Sequence, residues 1–159
     1  MDIPIVVQRA TVQHFEAVLA FVQLVDAEFV PPLSVRYCLR ELVRQYLCEP
    51  GKACLLETGA DRAIRAALLY ELNAPLTSSA YLVFFAVRPD CRRTGLALRF
   101  RLAALEVMRA SDIHEVTTRT WSTNGAMLAL NQQSGFTCTH VVKDERGPGI
   151  DSVYFRRTL

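Results

Sequence analysis

Arg92 and Arg93, with Thr94, Gly95 and Ala97 close behind them, are the densest group of chemically equipped residues in the chain. They lie between the apolar run Ala80–Val87 and a stretch in which Leu98, Leu102, Leu105 and Met108 recur at helical spacing. A loop that feeds a helix in this way suits an anion. The first N–H groups of a helix lack intrahelical acceptors, and the helix dipole adds a positive potential there. Gly95 lets the backbone come close to a phosphate, and Ala97 keeps the first turn slim. The two guanidinium groups would add charge-assisted hydrogen bonds to phosphate oxygens, and Thr94 a hydroxyl. The spacing Arg-x-x-Gly-x-Ala has neither the three glycines of a dinucleotide fingerprint nor the Gly-Lys-Ser/Thr of a nucleoside-triphosphate loop. The same residues would also build a plain polar turn that caps a helix.

Other kinds of chemistry find less support. The five cysteines are odd in number and form no Cys-x-x-Cys pair, so they read as reduced thiols of a cytoplasmic protein and not as a metal site. Cys91 borders the arginine loop but has no histidine paired with it in the sequence, which disfavours a nucleophile. A net charge of +2 spread along the chain lacks the concentrated basic face of a nucleic-acid binder. Asp2 and the short apolar patch before Gln8 argue against a secretion leader, and no apolar run approaches the ~20 residues that cross a bilayer. The expectation is a cytoplasmic protein with no membrane, nucleic-acid or metal partner.

The elements around the loop follow from periodicity. A length of 159 residues suits one domain spanning 1–159. "IVVQRAT" predicts a strand handing over at Thr11 to a helix with Val12, Phe15, Leu19, Val22 and Val25 on its inner face. After the prolines at 31 and 32, a second helix is expected from about Leu33 to Cys48, with Val35, Leu39, Leu42 and Tyr46 inward. "ACLLET" and "RAIRAALLYEL" predict two antiparallel strands, and Ala80–Val87 a central strand buried on both sides. "IHEVTTRTW" alternates as a strand, "NGAMLALNQQS" reads as a short helix closed by Gly135, and "FTCTHVVK" and "SVYFRR" are the last two strands. This order fits a mixed α/β fold, a largely antiparallel central sheet with helices on both faces.

The stretch "FFAVRPDCRRTGLALRFRLAALEVM" resembles the acyl-CoA signature of the GNAT superfamily of N-acetyltransferases, written Gln/Arg-x-x-Gly-x-Gly/Ala. "NGAMLALNQQSGF" is similar to the second signature of that family, an Asn-headed helix ending in Gly-Phe, and "VQRATVQHFEAV" to its first strand and helix. The resemblance implies acetyl-CoA, or another acyl-CoA, as co-substrate. The pyrophosphate would lie on Arg92, Arg93, Thr94, Gly95, Leu96 and Ala97. The pantetheine arm would pair with backbone at Phe85, Ala86 and Val87 as an added strand. Asn124 matches an asparagine that faces the pantetheine, and would equally be an ordinary N-cap. The acceptor would be a primary amine on a small molecule or a protein, with a homodimer paired through an edge such as "SVYFRR" as a further expectation.

The catalytic half departs from the pattern. Acyl transfer to an amine with a pKa near ~10.4 needs a proton acceptor, whereas a thiol with a pKa near ~8.5 leaves readily. Many GNAT members place a tyrosine on the last helix as acid for the departing thiol. The resemblance puts Asn131 there, which can hydrogen-bond the cofactor but cannot act as an acid. Some relatives carry a glutamate where this chain has Tyr81, which reads either as wall or as proton carrier. Tyr81, Val83, Phe85 and Val87 would share one face of their strand. Glu71, at the end of the preceding strand, would reach the cleft through a water or else be solvated, and His114 reads as structural. Asp26 and Glu28 would attract a cationic amine, and Arg119, Trp121 and Tyr154 would line its pocket. These departures leave two readings open, an N-acyltransferase working by direct transfer and a CoA-binding module with little turnover.

Overall fold

The computed structural model describes residues 4–159, which leaves Asp2 and its leader argument outside the described residues. Seven strands are β1 (Gln8–Arg9), β2 (Lys52–Thr58), β3 (Ile64–Asn73), β4 (Leu76–Val87), β5 (Glu115–Trp121), β6 (Thr137–Val142) and β7 (Ser152–Thr158). The α-helices are α1 (Phe15–Val25), α2 (Leu33–Arg36), α3 (Leu39–Cys48), α4 (Leu96–Ala110) and α5 (Gly125–Gln133). The strands form one sheet in the order β1, β2, β3, β4, β5, β7, β6. Every pairing is antiparallel except that of β4 with β5. The mixed fold with helices on both faces is as expected.

Two apolar layers hold the sheet. Phe100, Ala104, Leu105 and Met108 of α4 pack with Leu82, Phe85 and Val87 on one face. Val18, Val22 and Val25 of α1 and Val43 of α3 pack with Phe84 and Ala86 on the other. The predicted inner faces are partly out of phase. Val12 and Val35 are exposed, and the expected helix over Leu33–Cys48 is broken at Tyr37 and Cys38, which are extended. The break has a geometric cause. Nine residues turn a helix through about 900°, so Leu33 and Leu42 would point to opposite sides of an unbroken helix. Interrupting it brings both into the same core. On α4 the stripe through Leu98, Leu102, Leu105 and Met108 is displaced as well: Leu102 is 39% exposed, and the buried face carries Arg101.

β4 positions the site. Tyr70 pairs with Leu82 and Leu69 with Phe84, which leaves Val83 as a bulge. The extra residue switches the alternation, so Phe85 and Val87 face α4 while Val83 and Phe84 both face α1. Tyr81, one residue before Leu82, therefore does not share the face of Phe85 and Val87, contrary to expectation. Pairing of β4 with β5 is confined to Ser79–Leu82 against Glu115–Thr118. Beyond Leu82, β4 stays with β3, and β5 stays with β7 through Trp121. The two strands therefore diverge and leave a wedge.

Two further features correct or extend the sequence reading. Ser152–Arg157, expected as a free edge, lies inside the sheet between β5 and β6; β6 is the edge, and all six of its residues are exposed. In the β2–β3 hairpin, Arg65 Nε donates to the Glu57 carboxylate at 2.8 Å, and Glu57 is only 3% exposed. Arg65→Met removes the partner of this buried carboxylate. The expected cost is about 2 kcal/mol, less than for a fully buried pair because Arg65 is partly solvated, and a thermal melt should fall by roughly 5 °C.

Candidate active-site cleft

The wedge between β4 and β5 is a cleft of about 520 Å³, lined by Leu82–Val87 on one side and Thr118–Trp121 on the other. Arg92, Arg93, Gly95 and Ala97 stand at the end where β4 finishes, and Asn124, Met127 and Leu130 of the α5 segment line its far side. Thr118 closes the narrow end, its hydroxyl donating to the Leu82 carbonyl at 3.1 Å.

The loop is built for a ligand at its open side. Arg93 and Gly95 both take left-handed backbone conformations, with φ of 61° and 77°. Together they aim the loop away from the helix start. A Cβ on Gly95 would meet nothing within 4 Å, so the space above the first turn of α4 is open. Arg93 is exposed and has no hydrogen-bond or ion-pair partner among the described residues, so its charge is available. Arg92 is committed instead. Its Nε donates to the Val87 carbonyl at 2.9 Å and its Nη2 to Glu28 at 2.7 Å, tying the loop to β4 and to the segment after α1. Thr94 is exposed, its hydroxyl donating to the Cys91 carbonyl at 2.8 Å, and Leu96 is buried. Neither side chain lines the cleft.

The open edge of β4 can be assigned from its hydrogen bonds. Arg88 N–H bonds to Arg65 of β3, so Ala86, two residues earlier, also turns its backbone toward β3. Phe85 and Val87 then turn theirs to the cleft, in agreement with Arg92 reaching the Val87 carbonyl from that side. The groups left for a ligand are the N–H and C=O of Phe85 and the N–H of Val87. Ala86, expected to pair with the cofactor, lines the wall without offering backbone groups. Asn124 takes the expected N-cap role. It lines the cleft and caps α5, accepting from Met127 N–H at 3.2 Å while its amide donates to Thr120 Oγ1 at 3.3 Å. Asn124→Ala should cost about 1 kcal/mol through the lost cap, read as a lower melting midpoint.

None of the three residues with expected catalytic roles lines the cleft, although Glu71 and Tyr81 are cross-strand partners outside it. Glu71 accepts a hydrogen bond from Tyr46 Oη at 2.8 Å, which also raises the pKa of that phenol beyond the effect of burial. It does not line the cleft. Tyr81 pairs with Glu71 across the strands below the vertex, and burial raises its pKa, so it holds its proton at neutral pH. Asn131 is fully buried on the inner face of α5, where its Oδ1 accepts from Arg101 Nη1 at 3.2 Å. His114 is exposed before β5, far along the strand from the cleft, and Asp26 is held by the backbone and hydroxyl of Ser34. Among the described residues, the one carboxylate that lines the cleft, Glu28, is the partner of Arg92.

A second face of the wedge is aromatic and cationic. Phe29 stacks on Phe84 with ring centres 5.4 Å apart and lies 5.8 Å from Trp121. Arg146 stands over the Trp121 ring at 5.4 Å and donates to the Val30 carbonyl and to Ser152, with no ion pair among the described residues. Burial, and then Arg119 and Arg36, lower its pKa. Arg119 donates to Tyr154 Oη at 3.0 Å and lies 3.6 Å from Glu145. Arg146 was not singled out from the sequence, because it falls in a Gly- and Pro-bearing loop with no periodicity to place it.

No protein-family model matches the chain. No curated protein matches it in sequence. Solved structures do. A protein from Desulfovibrio desulfuricans assigned to the GNAT family of acetyltransferases superposes with a TM-score of 0.81 at 19% identity, covering 97% of this chain and 98% of that one. A ribosomal-protein-alanine N-acetyltransferase from Brucella melitensis gives 0.72 at 20% identity, over 97% and 99%. An acetyltransferase from Bacillus subtilis in complex with CoA gives 0.72 at 16%, over 98% and 99%. The chain has the GNAT fold, as the sequence motifs implied.

Proposed function

We propose that the protein is an acyl-CoA-dependent N-acyltransferase, moving an acyl group, acetyl in the simplest case, to a primary amine of a small molecule or protein by direct transfer in a ternary complex. The observation that carries this reading is the conjunction of an open β4 edge and an open, glycine-hinged loop in one cleft. Phosphate oxygens would be met by Arg93 and by the first-turn N–H groups of α4, and the pantetheine amides by the backbone of Phe85 and Val87. The CoA-bound Bacillus subtilis protein of the same fold supports the choice of ligand. When bound, the thioester supplies an activated acyl carbon. The chain supplies position, exclusion of water and donors at the carbonyl.

The acceptor side supports an amine that carries an anionic group. Arg146 and Arg119, next to Trp121 and Phe29, would hold a carboxylate, and their positive field would lower the pKa of a nearby ammonium, easing its deprotonation without a dedicated base. A specific observation also favours the CoA-binding module as a second reading: Glu28 is neutralised by Arg92, and no other carboxylate among the described residues lines the cleft. Calorimetry with CoA and acetyl-CoA, followed by thiol release in the presence of a panel of amines with and without a carboxylate, tests both. Binding with amine-dependent release supports the enzyme. Binding without release from any amine favours the module, and absence of binding removes both.

A further inference from the structure

Arg101 lies in the middle of α4, 1% exposed, yet it lines the cleft. Its guanidinium carbon sits 4.2 Å from the centre of the Phe85 ring and 5.7 Å from that of Phe136. Nη1 donates to Asn131, and Nη2 reaches the Met127 sulfur at 3.4 Å. Two buried donors are left over, Arg101 Nε and Asn131 Nδ2, neither with an acceptor. No carboxylate pairs with Arg101 among the described residues. Burial pushes its pKa down to about 9, so it is still a cation at neutral pH. A buried cation without a counter-ion destabilises a fold, and burying it beside two orphaned donors compounds the cost. A resident site of this kind fits an anion that arrives in the cleft.

Its place relates it to the arm of the cofactor. With the phosphates at Gly95 and Ala97, Arg101 is one helical turn further in, and its side chain lies on Phe85, whose backbone groups would pair with the pantetheine. This rests on acyl-CoA occupying the cleft as proposed above. We propose that Arg101, oriented by Asn131, is a catalytic residue that binds the thiolate leaving the acyl group. In the step, the amine lone pair forms a bond to the thioester carbon, the C–S bond breaks with its electron pair passing to sulfur, and the amine proton goes to solvent. Arg101 keeps its proton throughout and donates hydrogen bonds to the sulfur. A thiolate fits better than a carboxylate because the access is narrow, as the low exposure of Arg101 shows, and the surroundings are Phe85, Phe136 and Met127, suited to one large, weakly hydrated atom.

The test compares CoA with desulfo-CoA, which lacks the thiol, by calorimetry from pH 6 to 8.5. The groups packed on Arg101, namely Phe85, Met127, Asn131 and Phe136, do not titrate, and the other charged groups lining the cleft are Glu28, Arg92, Arg93 and Arg119. These act on both ligands alike, so the ratio of the two affinities isolates the thiol. A bound thiolate lowers the thiol pKa. The ratio should then rise with pH, by up to about tenfold per unit, between the bound pKa and the ordinary value near ~8.5. Arg101→Met should abolish the rise, lower kcat with acetyl-CoA about a hundredfold with KM little changed, and melt at or above the wild-type temperature. Arg101→Lys should restore part of the pH dependence. A flat ratio in the wild-type protein overturns the proposal without needing any variant, while leaving acyl-CoA binding intact. So does a preference for succinyl-CoA over acetyl-CoA that Arg101→Met removes, since the cation would then serve an acyl carboxylate. Failure of wild type to bind either nucleotide overturns the acyl-CoA reading together with this one.

Discussion

Replacing Gly95 with aspartate is expected to leave the protein folded and to weaken its binding of CoA by two to three orders of magnitude. Gly95 holds the N-terminal turn of α4 at a φ of 77°, and its Cα faces open space. A side chain there meets no neighbour, so the structural cost is confined to the left-handed backbone, about 1 kcal/mol for a residue such as Asp that tolerates it. The functional cost is much larger. A carboxylate about 4 Å from a phosphate oxygen, at an effective dielectric near 20, opposes it by about 4 kcal/mol. Gly95→Asn separates the two effects, since it has the same shape and backbone tolerance but no charge. Calorimetry should show the Asn variant weakened by about tenfold or less and the Asp variant without measurable binding. Equal losses in both would assign the effect to the backbone of the loop and remove the phosphate from above Gly95.

The motif that makes this experiment obvious was legible because its requirements are local. A glycine at a left-handed position, a small residue two places on and flanking arginines are fixed by the turn that they build, and the apolar run Ala80–Val87 announces its own burial. What was not legible depends on partners far away in the chain. Arg101 was not singled out among the residues of α4, because the aromatic cage that buries it comes from Phe85 of β4 and from Phe136, three residues beyond the end of α5. The bulge at Val83 leaves no compositional trace, yet it decides which face Tyr81 takes and which backbone groups of β4 reach the cleft. Glu71 could not be excluded as a base from sequence, since its partner Tyr46 is 25 residues upstream on α3. Asn131 is separated from an acid's role by chemistry alone, since an amide does not act as an acid. Its burial against Arg101 then ties it to a neighbour 30 residues away, which no local spacing points to.

Phe84→Ala should produce the largest loss of stability of any single change near the site, and a selective loss on the acceptor side. Phe84 is 2% exposed on the α1 face of β4, with Phe29 stacked on it at an interplanar angle of 14° and Phe21 meeting it edge-on at 6.4 Å. Truncating such a ring costs about 3–5 kcal/mol from lost transfer energy and the cavity left behind, which corresponds to a melting midpoint lower by roughly 10 °C. The cavity opens directly beneath Phe29. That residue has Trp121 as its other aromatic neighbour and lies in the segment that carries Glu28 to Arg92. Losing its floor should loosen the aromatic wall where an amine would sit, while Phe85 and Val87, facing the opposite layer, keep their backbone groups on the cleft. Assayed below the variant's own midpoint, the acceptor KM should rise about tenfold and the CoA affinity should change far less. Phe84→Leu, which fills most of the space, should recover more stability than acceptor affinity, because a leucine supports the core but presents no ring for Phe29 to stack on. A variant that melts low but keeps its acceptor KM would place the amine elsewhere than against Phe29 and Trp121, and would shift attention to the Arg119 end of β5.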